Sequence, residues 1–118
     1  MTEQTNTYFR AIEEKGSYRN DGEGRAYRSW WRSEETKASR FEVEDLPWDK
    51  DLPDFVAALR EAGVTEFAVT DQSTALMRCL HILAANGCTI EGLCTVERTE
   101  WRFRGDCTVS REGILVRL

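Results

Sequence analysis

Four consecutive residues, Asp71-Gln72-Ser73-Thr74, each carry a side-chain oxygen, and they directly follow the alternating segment Glu66-Phe67-Ala68-Val69-Thr70. Such a run suits the start of a helix, whose first N–H groups need acceptors, so its plainest role is capping. The same position, a helix N-terminus beyond the carboxyl end of a strand, is also where open α/β sheets collect ligands. Glu44 and Asp45, at the end of an earlier alternating stretch, fall on the same rim. Glu44, Asp45, Asp71, Gln72, Ser73 and Thr74 are therefore the candidate ligand-binding residues, although the three acids among them oppose an anion. No glycine-rich turn is present, which removes both the dinucleotide fingerprint and the P-loop.

A second constellation is Arg25-Ala26-Tyr27-Arg28-Ser29-Trp30-Trp31-Arg32, in which arginines and aromatics are interleaved. Single-stranded nucleic acid is held by this combination, through phosphate contacts and base stacking. Trp101-Arg102-Phe103-Arg104 repeats the pattern on an expected strand. Helical spacing, however, gathers Tyr27, Trp30 and Trp31 on one face that suits a core, and leaves the arginines to pair with acids of the sheet. Arg25, Arg28, Trp31 and Arg32 are the candidate partner contacts. The net charge of −5 disfavours nucleic acid and leaves a protein as the expected partner.

Little points to catalysis. His81 is the only histidine and lies mid-helix among apolar neighbours, so a buried or half-buried structural role is expected. No G-x-S-x-G motif accompanies it, and nothing in the linear order holds two carboxylates together as an acid–base pair. Cys79, Cys88, Cys94 and Cys107 contain no C-x-x-C pair. Cys88 and Cys94 share an expected strand and would lie roughly 20 Å apart, too far for a bridge or a common ion. Reduced, buried thiols are expected, with no catalytic residue, no metal and no cofactor.

The elements that position these residues follow from periodicity. Tyr8, Phe9, Ala11 and Ile12 give a short helix capped by Thr5 or Asn6 and ended at Gly16. Ser17 to Gly24 has turn chemistry, and a second helix is expected over 25–39. Phe41 to Glu44 is the first strand. Leu52, Phe55, Val56, Leu59 and Ala62 form the stripe of a third helix with Pro53 in its first turn. Val64 leads into the strand 66–70, and Leu76, Met77, Leu80, Leu83 and Ala84 mark one face of a fourth helix that ends at Asn86-Gly87. Cys88 to Val96 is the third strand, with Ile90, Cys94 and Val96 on one face and Gly92 marking a bulge or a close backbone approach. Trp101 and Phe103 have the opposite parity, so either a bulge near Thr99-Glu100 re-phases the strand or they face the other side. Gly105-Asp106 suggests a hairpin, Ser110 to Gly113 a further turn, and Ile114 to Leu118 a last strand.

The expected fold is a two-layer α/β (α+β) sandwich with a mixed, mainly parallel sheet of 4–5 strands. It has a β-α-β-α-β core, two N-terminal helices and a C-terminal antiparallel hairpin. A chain of 118 residues, 41% hydrophobic and 31% charged, suits one domain, 1–118, with a helical segment 1–40 packed on a sheet core 41–118. The acidic positions Glu42, Glu44, Glu66, Glu91 and Glu97 would make the helix-free face polar. Ala75 to Ala85, the longest apolar-looking run, holds Arg78 and His81 and falls short of the roughly 20 residues a span requires. Met1 to Lys15 lacks an uninterrupted apolar core, so a cytoplasmic protein off the membrane is expected, as a monomer or weak homodimer.

Phe67-Ala-Val-Thr-Asp-Gln-Ser-Thr-Ala-Leu-Met77, with Tyr18-Arg-Asn-Asp-Gly-Glu-Gly-Arg-Ala-Tyr-Arg-Ser-Trp30, resembles small bacterial proteins of unknown function that are often associated with mobile elements. The resemblance implies a bacterial cytosolic protein and brings no catalytic residues. The leading expectation is a non-enzymatic interaction or accessory module that uses the basic aromatic helix and the acidic rim. The alternative is a small-ligand-binding or enzymatic domain using Asp71 to Thr74. Single-stranded nucleic-acid binding through Arg25 to Arg32 is the third.

Overall fold

Thr2 starts the first helix, its hydroxyl accepting the Thr5 N–H at 3.2 Å, a few residues earlier than Thr5 or Asn6 would have done. In the computed structural model, which describes residues 1–16, 21–102 and 105–118 and only the backbone of Arg102, this helix α1 spans Glu3–Lys15. Gly16 ends it in the left-handed conformation at φ +66, a role for which glycine is suited. Two polar contacts then fix α1 on its neighbours. The Thr5 hydroxyl donates to Ala62 O at 2.9 Å, and Asn6 Oδ1 accepts from Trp30 Nε1 at 2.9 Å. Between them Phe9 stacks on Trp30 with ring centres 5.6 Å apart.

Helix α2 spans Gly22–Glu35 rather than 25–39. Asp21 caps it by accepting the Gly24 N–H at 3.0 Å, and Lys37 at φ +52 takes the chain out of helix after Thr36. Tyr27 and Trp30 enter the core as expected, but Trp31 does not: it remains 45% exposed. Of the turn expected at Ser17 to Gly24, the part at 17–20 lies outside the described residues. Gly22 lies hard against the first turn of the next helix. A Cβ there would come within 2.4 Å of Phe55 N and 2.5 Å of Asp51 O, both backbone atoms. Glycine to alanine inside a helix is ordinarily stabilising by up to about 1 kcal/mol. Here overpacking wins, and Gly22→Ala is expected to cost about 1–3 kcal/mol, measured as a lower urea midpoint at unchanged slope.

The remaining elements are β1 (Glu42–Val43), a 3-10 turn at Asp49–Asp51, α3 (Leu52–Glu61), β2 (Glu66–Val69), α4 (Leu76–Ala85), β3 (Thr89–Arg102) and β4 (Gly105–Arg117). The stripe Leu52, Phe55, Val56, Leu59 and Ala62 is buried, with Pro53 in the first turn of α3. It meets Phe41, Val43, Phe67, Val69 and Val116 from the sheet, and Phe9, Tyr27 and Trp30 from the first two helices, in one core. Helix α4 covers less. Cys79 and Leu83 are buried, Leu76, Leu80 and Ile82 flank them, and Met77 and Ala84 point to solvent.

The sheet departs from the expected one. Its order is β1-β2-β4-β3; β1 and β2 are parallel, whereas β2–β4 and β4–β3 are antiparallel. The sheet is therefore mixed and mostly antiparallel, not mainly parallel. β2 and β3 do run in the same direction, as a strand-helix-strand crossover demands, but β4 has inserted between them. The expected turn at Ser110 to Gly113 is absent because β4 continues through it, pairing Gly113 with Cys94 and Ser110 with Glu97. Gly105 and Asp106, expected to turn the chain, pair with Arg102 and Trp101 inside the hairpin, and 103–104 lie outside the described residues.

Gly92, at φ +115, accompanies the only register shift of the hairpin among the described residues, between Ile90 and Gly92. The shift puts Ile90 opposite Val116 on the core side and Cys94 and Val96 on the other side, separating residues expected on one face. No shift occurs at Thr99-Glu100, so Trp101 takes the alternate side to Arg98 and is exposed.

Candidate functional site

The sheet's second face is closed rather than flat. The segment between α2 and β1 lies along the free edge of β3: Ser39 N donates to Glu97 O at 2.8 Å, Thr99 N to Thr36 O at 2.7 Å, and Glu97 N to Ser39 Oγ at 2.9 Å. At the opposite edge, the Ser33 hydroxyl accepts from Glu42 N at 2.9 Å and donates to Glu42 O at 3.3 Å, which satisfies β1 from α2. The two ends of a four-stranded sheet are thus held by one short stretch of chain.

Inside this closure lies a buried ionic cluster. Arg98 and Glu42, 4% and 3% exposed, form an ion pair at 3.0 Å. Arg98 also pairs with Glu44 and reaches Glu100 at 2.8 Å. The Thr70 hydroxyl donates to the same Glu42 oxygen that Arg98 contacts, at 2.5 Å. Glu44 carries the chain of contacts outward to Arg32 Nε at 3.4 Å, and Arg32 meets Glu35 at 3.6 Å. The alternation places Glu42 outward on a polar surface; its parity is right, but the closure has buried it. Arg98 is a site residue that the sequence reading misses. The available signal is its shared parity with buried Val96, which marks an inward-facing arginine in need of carboxylates.

Directly beside this cluster is a cleft of about 580 Å³, lined by Glu13, Gly24, Arg25, Tyr27, Arg28, Ser29, Trp31, Arg32, Glu42, Glu44 and Asp45. Its size falls within the range of small-ligand and side-chain pockets. The structure here joins two candidate sets that the sequence kept apart: Arg25, Arg28, Trp31 and Arg32 from α2, and Glu44 and Asp45 from the segment after β1. Arg25 Nε is buried with no hydrogen-bond partner among the described residues. Neither Arg25 nor Arg28 has an ion pair among those residues, in contrast to Arg32.

The rest of the expected rim is elsewhere. Gln72, Ser73 and Thr74 are exposed and do not line the cleft. Nor do they or Asp71 cap α4, which starts at Leu76 with Ala75 before it and no side-chain cap. The Asp71 carboxylate is engaged on other backbone groups. One oxygen accepts the Ser73 N–H at 2.7 Å and the other the Leu46 N–H at 3.0 Å, tying the end of β2 to the end of β1. His81 is exposed, not buried. The four cysteines are free, Cys79 and Cys88 buried and Cys94 and Cys107 half-buried. Burial pushes the Cys79, Cys88 and Cys94 thiols up, and the negative charges of Asp49 and Asp71 raise Cys79 further. Such thiols stay protonated near neutrality and make poor nucleophiles. Trp101 is exposed on the hairpin, while Phe103 and Arg104 lie outside the described residues.

A family model described as a domain of unknown function (DUF7698) matches residues 25–118. The chain belongs to this family. The DUF7698 match takes in the whole sheet, α3, α4, all but the first turn of α2, and every cleft residue except Glu13 and Gly24. No curated protein and no solved structure matches the chain. Among the described residues no helix is long and apolar enough to cross a membrane.

Proposed function

We propose that this DUF7698 chain is a non-enzymatic interaction module whose contact surface is the cleft between α2 and the Glu42–Asp45 segment. One observation carries the reading. Trp31, on an otherwise inward-looking aromatic stripe, is left 45% exposed in a cleft where Arg25 and Arg28 have no carboxylate partners among the described residues. Trp and Arg are the residue types most enriched where protein contacts concentrate their energy, because both combine large area with directional polar groups. The thiols pushed up by burial, and the engagement of Glu42 and Glu44 by arginine, favour binding over catalysis.

The net charge of −5 and the acids Glu13 and Asp45 on the cleft speak for a protein over a nucleic acid as the partner. A bacterial cytosolic setting fits the sequence resemblance. The test is a matched capture by wild type and by the double variant Arg28→Ala/Trp31→Ala, after checking that both unfold at the same urea midpoint. One stoichiometric protein retained by the wild type and reduced at least ten-fold by the variant is the expected result. Equal capture by both excludes the cleft. A metabolite that stabilises the wild type thermally, with no protein retained, would favour the small-ligand reading instead.

A further inference from the structure

We propose that the Arg25 end of the cleft is an oxyanion subsite, filled by a carboxylate from an acidic, apolar-flanked segment of the partner protein. The inference rests on the reading of the cleft as the contact surface. Buried donors in folded proteins are nearly always satisfied, and a charged one left without an acceptor is costly. Arg25 Nε, closed to solvent, breaks that rule among the described residues, in a side chain that lines the cleft.

Two of the chain's own carboxylates nearby are taken. Glu42 accepts from Thr70 and Arg98, and Glu44 from Arg98 and Arg32. Glu13 and Asp45 line the same cleft but make no ion pair with Arg25 among the described residues, which leaves its guanidinium open to an acceptor from outside. Arg28, three residues on and on the same helical face, offers a second guanidinium to the same group, and the positive end of α2 lies one turn away. Guanidinium groups bind planar carboxylates through paired N–H donors.

Glu13 and Asp45 also line the cleft and decide between anions. Their repulsion scales with the ligand's charge, so a singly charged carboxylate is tolerated where a phosphate dianion or a polyanion is opposed. Exposed Trp31 supplies the apolar surface on which a neighbouring aromatic or aliphatic residue of the segment packs.

The experiment follows the Arg25 Nε–Hε signal in 15N-labelled protein, assigned by its disappearance in Arg25→Lys. The probes are the peptide acetyl-Gln-Phe-Glu-Leu-amide, with one carboxylate, its Gln-for-Glu counterpart, and inorganic phosphate. The expected result is a saturable shift with the Glu peptide alone, and about ten-fold weaker binding of that peptide by Arg25→Lys, the loss of one charge-assisted bond. No shift, an equal shift with the Gln peptide, or a shift with phosphate at lower concentration than with the Glu peptide overturns the proposal. The subsite and the module fail separately. If the peptide leaves Arg25 unmoved while Arg28→Ala/Trp31→Ala still loses its protein, only the subsite falls. If the peptide binds but both forms capture the same proteins, the module falls.

Discussion

Arg98→Met is expected to lower the unfolding free energy by about 3–5 kcal/mol, the usual cost of stripping the partner from a buried charge. The substitution keeps most of the side chain's length but strips Glu42, 3% exposed, of its arginine and leaves it beside Glu100 and beside Glu44, which keeps only its outer contact to Arg32. The desolvation of Glu42 then goes uncompensated, and three carboxylates repel across the closed face of the sheet. The diagnostic comparison is the double variant Glu42→Leu/Arg98→Met. It removes both buried charges together and is expected to lose less stability than Arg98→Met alone, since an apolar pair of similar volume often replaces a buried ion pair at little cost. Urea midpoints at constant slope measure both. If Arg98→Met shifts the midpoint no more than an exposed substitution does, the cluster is not what holds the second face shut.

Phe67→Ala is the other large effect, about 3–5 kcal/mol. Phe67 is fully buried and meets Phe55 edge-on, with ring centres 5.9 Å apart at 88°. Truncation removes the transfer free energy of the ring and leaves a cavity between β2 and α3 that two fixed elements cannot collapse. Leu93→Ala is the control. Leu93 is equally apolar but 82% exposed at the edge strand, so a change within about 0.5 kcal/mol is expected. Similar losses at both positions would mean that the helices do not cover the face assigned to them.

What the sequence made legible was local. The alternation at Glu66 to Val69 and the stripe Leu52, Phe55, Val56, Leu59 mark β2 and α3 nearly to the residue, because periodicity reports which side of an element is buried. Gly92 was recognisable as either a bulge or a close backbone approach, because an isolated glycine weakens a strand unless its backbone freedom is used there, and the register shift between Ile90 and Gly92 is the bulge. Periodicity does not report which strand lies next to which. β2 and β3 keep the direction the crossover requires whether they touch or are separated by β4, so nothing in the pattern forbade the insertion that made the sheet mostly antiparallel.

The site was half legible on the same terms. Arg25, Arg28, Trp31, Arg32, Glu44 and Asp45 stood out by residue type, but their meeting in one cleft depends on the 36–40 segment crossing the sheet, which has no local signature. Asp71 to Thr74 misled because consecutive side-chain oxygens suit a helix cap equally well and say nothing of a rival donor. Asp71 is drawn to Leu46 N in a neighbouring loop, and α4 starts without it.

The central claim is that this chain meets its partner through the α2 cleft and not through its other exposed aromatics. Trp31, Trp48 and Trp101 are all exposed, on α2, in the loop before the 3-10 turn and on β3. Each can be replaced in turn by p-benzoylphenylalanine and irradiated in cells that produce the protein. A single discrete adduct from position 31, absent from positions 48 and 101, is the predicted result. An adduct from position 48 or 101 with none from position 31 would contradict the account and move the contact surface to the loop after β1 or to the hairpin.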